Sequence, residues 1–559
     1  MRMKEKLAPV AVIFMILCFA VIPAGASSPV EAKNGMVAAA HPLASQVGVE
    51  ILKKGGNAVD AAVATAFALG VVEPNASGLG GGGFILVYNA KTKGVTAIDY
   101  REMAPLKATP DMYQLTPDGK VVGNETQQGH KAVAIPGTLA GLTLALKQHG
   151  SMSLKDVMAP AIRIAEQGYT VSKTLNAMMK DNFDKLTKYP AAAAVYLKAG
   201  LPYEVGDRLV LKDLAKSYRL IAEKGPDVFY KGEIADAIEK EMRASGKGLI
   251  TKADLAAYKP AVRTPVRGTY RGYEIISMAP PSSGGTHVIE ILNILEGYNM
   301  TQLGFQTPES LHIEAEAMKR AFADRAKYMA DTDFVKVPIA GLISKKYAEE
   351  LRKGISMNAV GSKIPAGNPL PFVGSGGTSH LSVVDKQGNI VALTQTINYF
   401  FGSGVLVPGT GIMLNDEMDD FNPQPGTSNS VEPKKRPLSS MTPTIMLKNG
   451  KPFLSVGSPG ATRIISALTQ IIVNVVDFRM NLQDAIEAPR IHCMTGDIFM
   501  ESRIPKDVQE ALIAKGHKLS VRGAMDLYFG GAQGVMIDPA SRKLYGAGDP
   551  RRDGVAVGY

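Results

Sequence analysis

The spacing of hydrophobic positions changes along this chain, and the change predicts its elements. Over residues 56–72 apolar side chains recur at helical spacing in an alanine-rich run. Asn57 is placed to cap this helix, and Pro74 lies just past its end. Helical spacing returns from Gly137-Thr138 to His149, over 154–167, over 234–244 and over 311–330. A period of two marks strands over 84–88, 379–385, 390–398, 444–448, 452–457 and 534–537, with one more helix over 463–477. Long helices alternating with blocks of antiparallel strands predict an α+β layered architecture, without regular βαβ alternation. Gly78, Gly80 and Gly83 match a dinucleotide-binding fingerprint by letter, but they precede a strand instead of following one, which excludes that reading.

The most informative pattern lies just after a break. Residues 357–377 hold three prolines and five glycines with few charges, which makes a poor core and a good loop. A hairpin follows. With Lys386-Gln387-Gly388 as a three-residue turn and Gly388 left-handed, Asp385 pairs with Asn389, Leu381 with Leu393, Val383 with Val391 and Thr378 with Thr396. One face is then apolar, and the other carries Thr378, His380, Ser382, Thr394 and Thr396, with Asn398 just beyond. Threonine is common in strands because it is β-branched, so the pattern alone does not make this face catalytic. Its place after the loop adds a chemical route. Attack of the Thr378 hydroxyl on the Gly377 carbonyl turns an amide into an ester. Hydrolysis then frees the Thr378 α-amine as a base for its own hydroxyl.

Composition narrows the setting. Arg2, Lys4 and Lys6 precede an apolar run over 7–22, and Ala24-Gly25-Ala26 supplies a small-residue cleavage pattern, so residues 1–26 are expected to be a signal peptide. The expected location is periplasmic or secreted, with no stable membrane anchor after cleavage. Cys18 goes with the leader, and Leu17 before it does not suit a lipoprotein signal. Cys493 remains as a buried structural thiol without a disulfide partner. The formal charge of +10 falls by two with the leader, and the other basic residues, of which Lys434-Lys435-Arg436 is the longest cluster, are expected on a solvated surface. They do not form a nucleic-acid site.

Other chemistries fit less well. His312, Glu314, Glu316 and Asp324 share a helix but no HExxH spacing, and are expected on solvated helix faces, not around a metal. Glu417, Asp419 and Asp420 lack the glycine and glutamate of an EF-hand. No GxSxG elbow is present. Read alone, Arg101 is a surface ion-pair partner and residues 457–461 are a tight strand-to-helix turn.

Seven segments change that reading: Gly55-Gly56-Asn57-Ala58-Val59-Asp60-Ala61-Ala62, Tyr100-Arg101-Glu102-Met103-Ala104-Pro105, Pro281-Ser282-Ser283-Gly284-Gly285, Thr378-Ser379-His380, Met418-Asp419-Asp420-Phe421, Arg436-Pro437-Leu438-Ser439-Ser440-Met441 and Gly457-Ser458-Pro459-Gly460. In this order they resemble the bacterial gamma-glutamyltransferases over essentially the whole mature chain. The resemblance implies a four-layer αββα fold of the N-terminal nucleophile hydrolase type, cut into a large fragment (27–377) and a small one (378–559) that together form one unit. It implies Thr378 as nucleophile and Thr396 as its hydrogen-bonding support. Arg101, Ser439 and Ser440 are implied to hold a donor's α-carboxylate, and Asn398, Glu417 and Asp420 its α-amino group. Gly460 and Ala461 would supply oxyanion amides, although the family usually has glycine at the second position. No cofactor or metal is implied. The partners expected are small γ-glutamyl donors and amine acceptors.

The connection between Asp420 and Arg436 is short compared with relatives that fold a lid there, so an open cleft that favours hydrolysis is expected. An amidase such as a cephalosporin acylase or a poly-γ-glutamate depolymerase is the alternative within the fold. An exported solute-binding protein is the alternative outside it.

Overall fold

The computed structural model describes residues 28–361 and 376–559; the expected signal peptide and the linker over 362–375 lie outside the described residues. Two seven-stranded antiparallel sheets form the centre. In the first, Val555–Gly558 and Met36–Ala39 lead to β2 (Gly376–Val384), β3 (Ile390–Tyr399) and β1 (Gly82–Tyr88), and Val95–Asp99 and Ala261–Arg263 complete it. The second runs Val30–Ala32, Leu544–Gly548, Gln533–Ile537, β4 (Lys451–Gly457), Thr444–Lys448, Tyr273–Ser277 and Val266–Tyr270.

Strand alternation creates the layers. In the first sheet Val37, Ile85, Val87, Leu381, Val383 and Leu393 point into one core, shared with the helices Pro42–Lys53 and α1 (Ala58–Val72). Their strand neighbours Met36, Phe84, Leu86, Val384 and Ala392 point into a second core. That core holds the other sheet and the helices Gly284–Leu295, α2 (Pro308–Tyr328) and α3 (Arg463–Val476). Burial on both faces of each sheet is what a helix–sheet–sheet–helix stack requires. The four-layer expectation is met.

Every residue of α1 is buried, which its small side chains permit. Its capping box at Asn57 and Asp60 forms as the sequence suggests, and the Ala58 amide donates to Asp385 Oδ2 at 2.9 Å, tying the helix start to the hairpin turn. The hairpin register agrees with the sequence reading at Leu381–Leu393, Val383–Val391 and Thr378–Thr396, and Gly388 has φ +87°. The glycine run before β1 serves backbone packing. A Cβ on Gly81 would lie 1.9 Å from the Thr396 carbonyl oxygen.

Three expectations are corrected. The hairpin's polar face is not open along its length, because the second sheet covers it and His380, Ser382 and Thr394 are fully buried. His312, Glu314 and Glu316 are buried as well: Glu316 pairs with Lys319 and Arg320, and His312 bonds His517. Only Asp324 of that group is half-buried; it accepts from the Tyr347 hydroxyl at 2.6 Å. In the Lys434-Lys435-Arg436 cluster, Lys435 and Arg436 are buried, the first paired with Glu432 and the second near Asp99. A basic triplet read as solvated is thus largely an internal ion-pair element. Edge strands near both termini, and those over 261–277, carry too few alternating residues to be seen in sequence.

Candidate active site

The site forms at one end of the hairpin. Between Gly377 and Thr378 the pairing of β2 with β3 slips, so that Gly377 faces Asn398 and Thr378 faces Thr396. Such a bulge bends the strand and re-aims side chains, and here it falls on the bond expected to break. Thr396 is the hub. Its hydroxyl lies 3.2 Å from Thr378 Oγ1, donates to the Gly377 carbonyl at 2.6 Å and accepts from the Asn398 amide at 2.8 Å. Asn398, one residue before the end of β3, has φ +71°, and its side-chain amide donates to the Asp416 carbonyl at 3.1 Å.

One cleft is lined by Thr378, Thr396, Asn398, Arg101, Glu417 and Asp420, with Ser439, Ser440 and Ala461 on its other walls. Of the site residues singled out from sequence, Gly377 and Gly460 are not on the wall; Gly377 precedes Thr378 on β2, and Gly460 sits one position before Ala461 in the turn that opens α3. Neither Gly460 N–H nor Ala461 N–H donates to an acceptor among the described residues. Ala461 has φ +51°, a conformation glycine adopts without penalty and alanine does not.

Arg101 is not a surface group. It is 1 % exposed, pairs with Glu417 at 2.5 Å and with Asp420, and donates to the carbonyls of Pro437 and Leu438 at 3.2 Å. Burial opposes its charge, but Glu417, Asp420 and Glu102 hold the guanidinium above its ordinary value. Burial raises the Glu417 carboxyl well above the usual range against the pull of Arg101, and lifts Glu102 to about 8. The residues expected to hold a carboxylate and those expected to hold an ammonium therefore face each other directly.

The serine pair is fixed from behind. The Ser439 amide donates to the Pro281 carbonyl at 2.9 Å, and the Ser283 hydroxyl donates to the Ser439 carbonyl at 2.7 Å. A Cβ on Gly284 would lie 1.8 Å from Thr442 Oγ1. The segment 281–285 is thus a cradle for Ser439 and Ser440, not itself a wall of the cleft.

Sequence reasoning missed Arg325, Tyr399 and Asn429, which also line the cleft. Arg325 donates to Ser283 Oγ at 2.8 Å and Ser440 Oγ at 3.0 Å, and burial lowers its guanidinium to about 10. A signal existed. Glu314, Met318 and Ala321 lie on one buried stripe of α2, and Arg325 continues that stripe at helical spacing. Asn429 comes from the short connection after Asp420, where it donates to the Asp420 carbonyl at 2.7 Å. That connection therefore contributes Asn429 to the cleft wall, and Thr378 in the same cleft is 5 % exposed.

Burial pushes the Cys493 thiol up to about 12, as suits a structural cysteine. No group of residues able to hold a metal ion occurs among the described residues.

Comparisons to known proteins identify the family. The family model described as Gamma-glutamyltranspeptidase matches residues 44–559. The glutathione hydrolase proenzyme of Escherichia coli (strain K12) is 46 % identical over 547 residues, covering 95 % of this chain and 93 % of that protein. The acylase ACY 1 proenzyme of Pseudomonas sp. (strain SE83) is also 46 % identical, over 95 % of this chain and 94 % of its own. Among solved structures, cephalosporin acylase from Bacillus halodurans superposes with a TM-score of 0.87 at 33 % identity, over 98 % of this chain and 99 % of that one. With a matching fold, a family model spanning nearly the whole chain and a threonine hairpin at its centre, this chain belongs to the gamma-glutamyltranspeptidase family.

Proposed function

We propose that the chain cuts itself between Gly377 and Thr378 and then uses Thr378 to cleave γ-glutamyl amides such as glutathione, passing the acyl group to water or an amine. The observation that carries this is the position of the Thr396 hydroxyl, 2.6 Å from the Gly377 carbonyl oxygen and 3.2 Å from Thr378 Oγ1. In the first stage the Thr378 oxygen bonds the Gly377 carbonyl carbon, the C–N bond breaks and the proton moves to the nitrogen. Thr396 stabilises the developing oxyanion. Water then splits the ester, leaving a Gly377 carboxylate and a free Thr378 amine.

In the second stage that amine takes the proton of the Thr378 hydroxyl as it attacks the donor's γ-carbonyl. The amides of Gly460 and Ala461 face the oxyanion, and the leaving amine departs with a proton. The donor's zwitterion fits the pairing of Arg101 with Glu417 and Asp420. Its carboxylate takes over the guanidinium together with Ser439 and Ser440, and its ammonium takes over the two acids and Asn398.

The test is direct. Purified protein should run as two fragments on a denaturing gel, the smaller beginning Thr-Ser-His-Leu, and should release glutamate from a γ-glutamyl anilide. A single full-length band in active protein overturns self-cleavage. The acylases among the relatives support a second reading, an amidase for other acyl groups. A glutaryl anilide, which lacks the ammonium, separates the two: the acid cluster beside Arg101 favours the γ-glutamyl compound by roughly 10²-fold or more. We also propose export to a periplasm or the medium from the leader pattern, which cell fractionation tests.

A further inference from the structure

Behind the cleft, three distant parts of the chain meet on the backbone of the nucleophile. Glu73 caps the C-terminal end of α1, and its carboxylate accepts a short hydrogen bond from the Ser379 hydroxyl. Arg552 comes from the turn before the last strand and donates from Nη1 to the Thr378 carbonyl at 2.9 Å. Its guanidinium lies 4.0 Å from Glu73 Oε1 and 5.4 Å from the centre of the Phe400 ring. The stem of Arg552 crosses Gly531, where a Cβ would come within 2.8 Å of its Cγ and Cδ. Both Arg552 and Glu73 are buried, and neither lines the cleft.

We infer that Arg552 and Glu73 form a clamp that positions the nucleophile, Arg552 fixing the Thr378 carbonyl and Glu73 the Ser379 side chain; this rests on Thr378 being the nucleophile. The physical reason is specific to this residue. Thr378 begins the small fragment after cleavage, so its backbone loses its covalent anchor on one side. Thr396 holds the hydroxyl, but a hydroxyl alone does not fix the rotation of the residue that carries it. A charge-assisted bond to the Thr378 carbonyl restores that constraint, and is stronger than one between neutral groups. The second grip joins the fragments, since Glu73 belongs to the large one and Ser379 to the small. Burial raises the Glu73 carboxyl to about 7 against the pull of Arg552, so the pair sits in a poorly solvated place. The acid is also near Asp553, which Ser172 and Thr174 hold in turn.

Because the clamp touches the backbone and not the donor, its loss changes kcat and leaves KM. Arg552→Gln should slow self-cleavage and lower kcat of the cleaved enzyme roughly 10²-fold, the scale expected for misplacing a reacting group, with the γ-glutamyl anilide KM within about twofold. Arg552→Lys should recover part of the loss, since it keeps the charge without the planar fork. Ser379→Ala releases only the Glu73 grip and should lower kcat less, again at constant KM. Wild-type kcat in folded Arg552→Gln overturns the clamp, and so does a rise in KM at constant kcat. If Arg552→Gln does not fold, Ser379→Ala decides, and wild-type kcat there rejects the Glu73 grip and with it the clamp. Activity in Thr378→Ala is a separate failure, because it removes the nucleophile itself.

Discussion

Midway along the hairpin, His380 bonds Thr394 Oγ1 at 2.8 Å and Ser382 Oγ at 3.1 Å, and Ser455 of the second sheet donates to Ser382 at 2.9 Å. At its end, Thr378 and Thr396 present the same kind of group on the same face of the same two strands. An imidazole beside two hydroxyls looks the better catalyst by chemistry alone. It is sealed: a Cβ on Gly457 would lie 2.2 Å from His380 Nδ1, and burial holds the imidazole down at about 3. The threonine pair instead lines the cleft, beside the slip in strand pairing at Gly377. Access to the cleft on this face therefore goes to the threonine pair and not to the residue that is the stronger base.

Four substitutions test the contrast. The largest effect belongs to Thr378→Ala, which should stay a single chain and lose activity by roughly 10³-fold or more, since both hydroxyl and released amine are gone. Gel and assay together check it. Arg101→Lys comes next. It keeps the charge but cannot meet Glu417 and Asp420 as a planar fork, so the donor KM should rise roughly tenfold or more while the chain is still cut before Thr378. An unchanged KM would remove Arg101 from the donor site.

His380→Gln probes the sealed half, and should cost about 1–3 kcal/mol of stability with kcat of the cleaved enzyme little changed. It should also alter the acid side of the stability curve. The folded imidazole binds its proton only near 3, whereas the ordinary value is 6.5, so the unfolded chain takes up the proton first as pH falls. Stability is complete above about 6.5 and declines toward 3, by up to about 1.4 kcal/mol per pH unit for this one group. Denaturant titrations between pH 7 and 4 should show a shallower decline in the variant. His287 and His517, held at about 3 and about 4, decline in the same direction and remain.

The smallest effect is expected from Ala461→Gly. Relieving a left-handed alanine should change stability by no more than about 1 kcal/mol, and kcat should stay within a few-fold. A large gain in kcat would mean that the Ala461 methyl crowds the acyl group.

The wall formed by Asn429 also sharpens the question of water against amine. Counting glutamate and γ-glutamyl dipeptide separately, with and without glycylglycine, should show hydrolysis prevailing at modest acceptor concentration if the short connection admits water. Dominant dipeptide formation overturns that expectation.

The sequence by itself determined the hairpin register, the capped helix after Asn57 and the coming together of Thr378, Thr396 and Asn398, because strand alternation, a three-residue turn and helix capping are local rules. The family motifs added Arg101, Glu417, Asp420 and the serine pair, which lie far apart in the chain. Only the tertiary structure decided that His380 is walled in, that Lys435 and Glu316 are buried, and that Arg325 and Asn429 reach the cleft. Each of those outcomes depends on which surface another layer covers. That is a property of packing between segments hundreds of residues apart, and no local period encodes it.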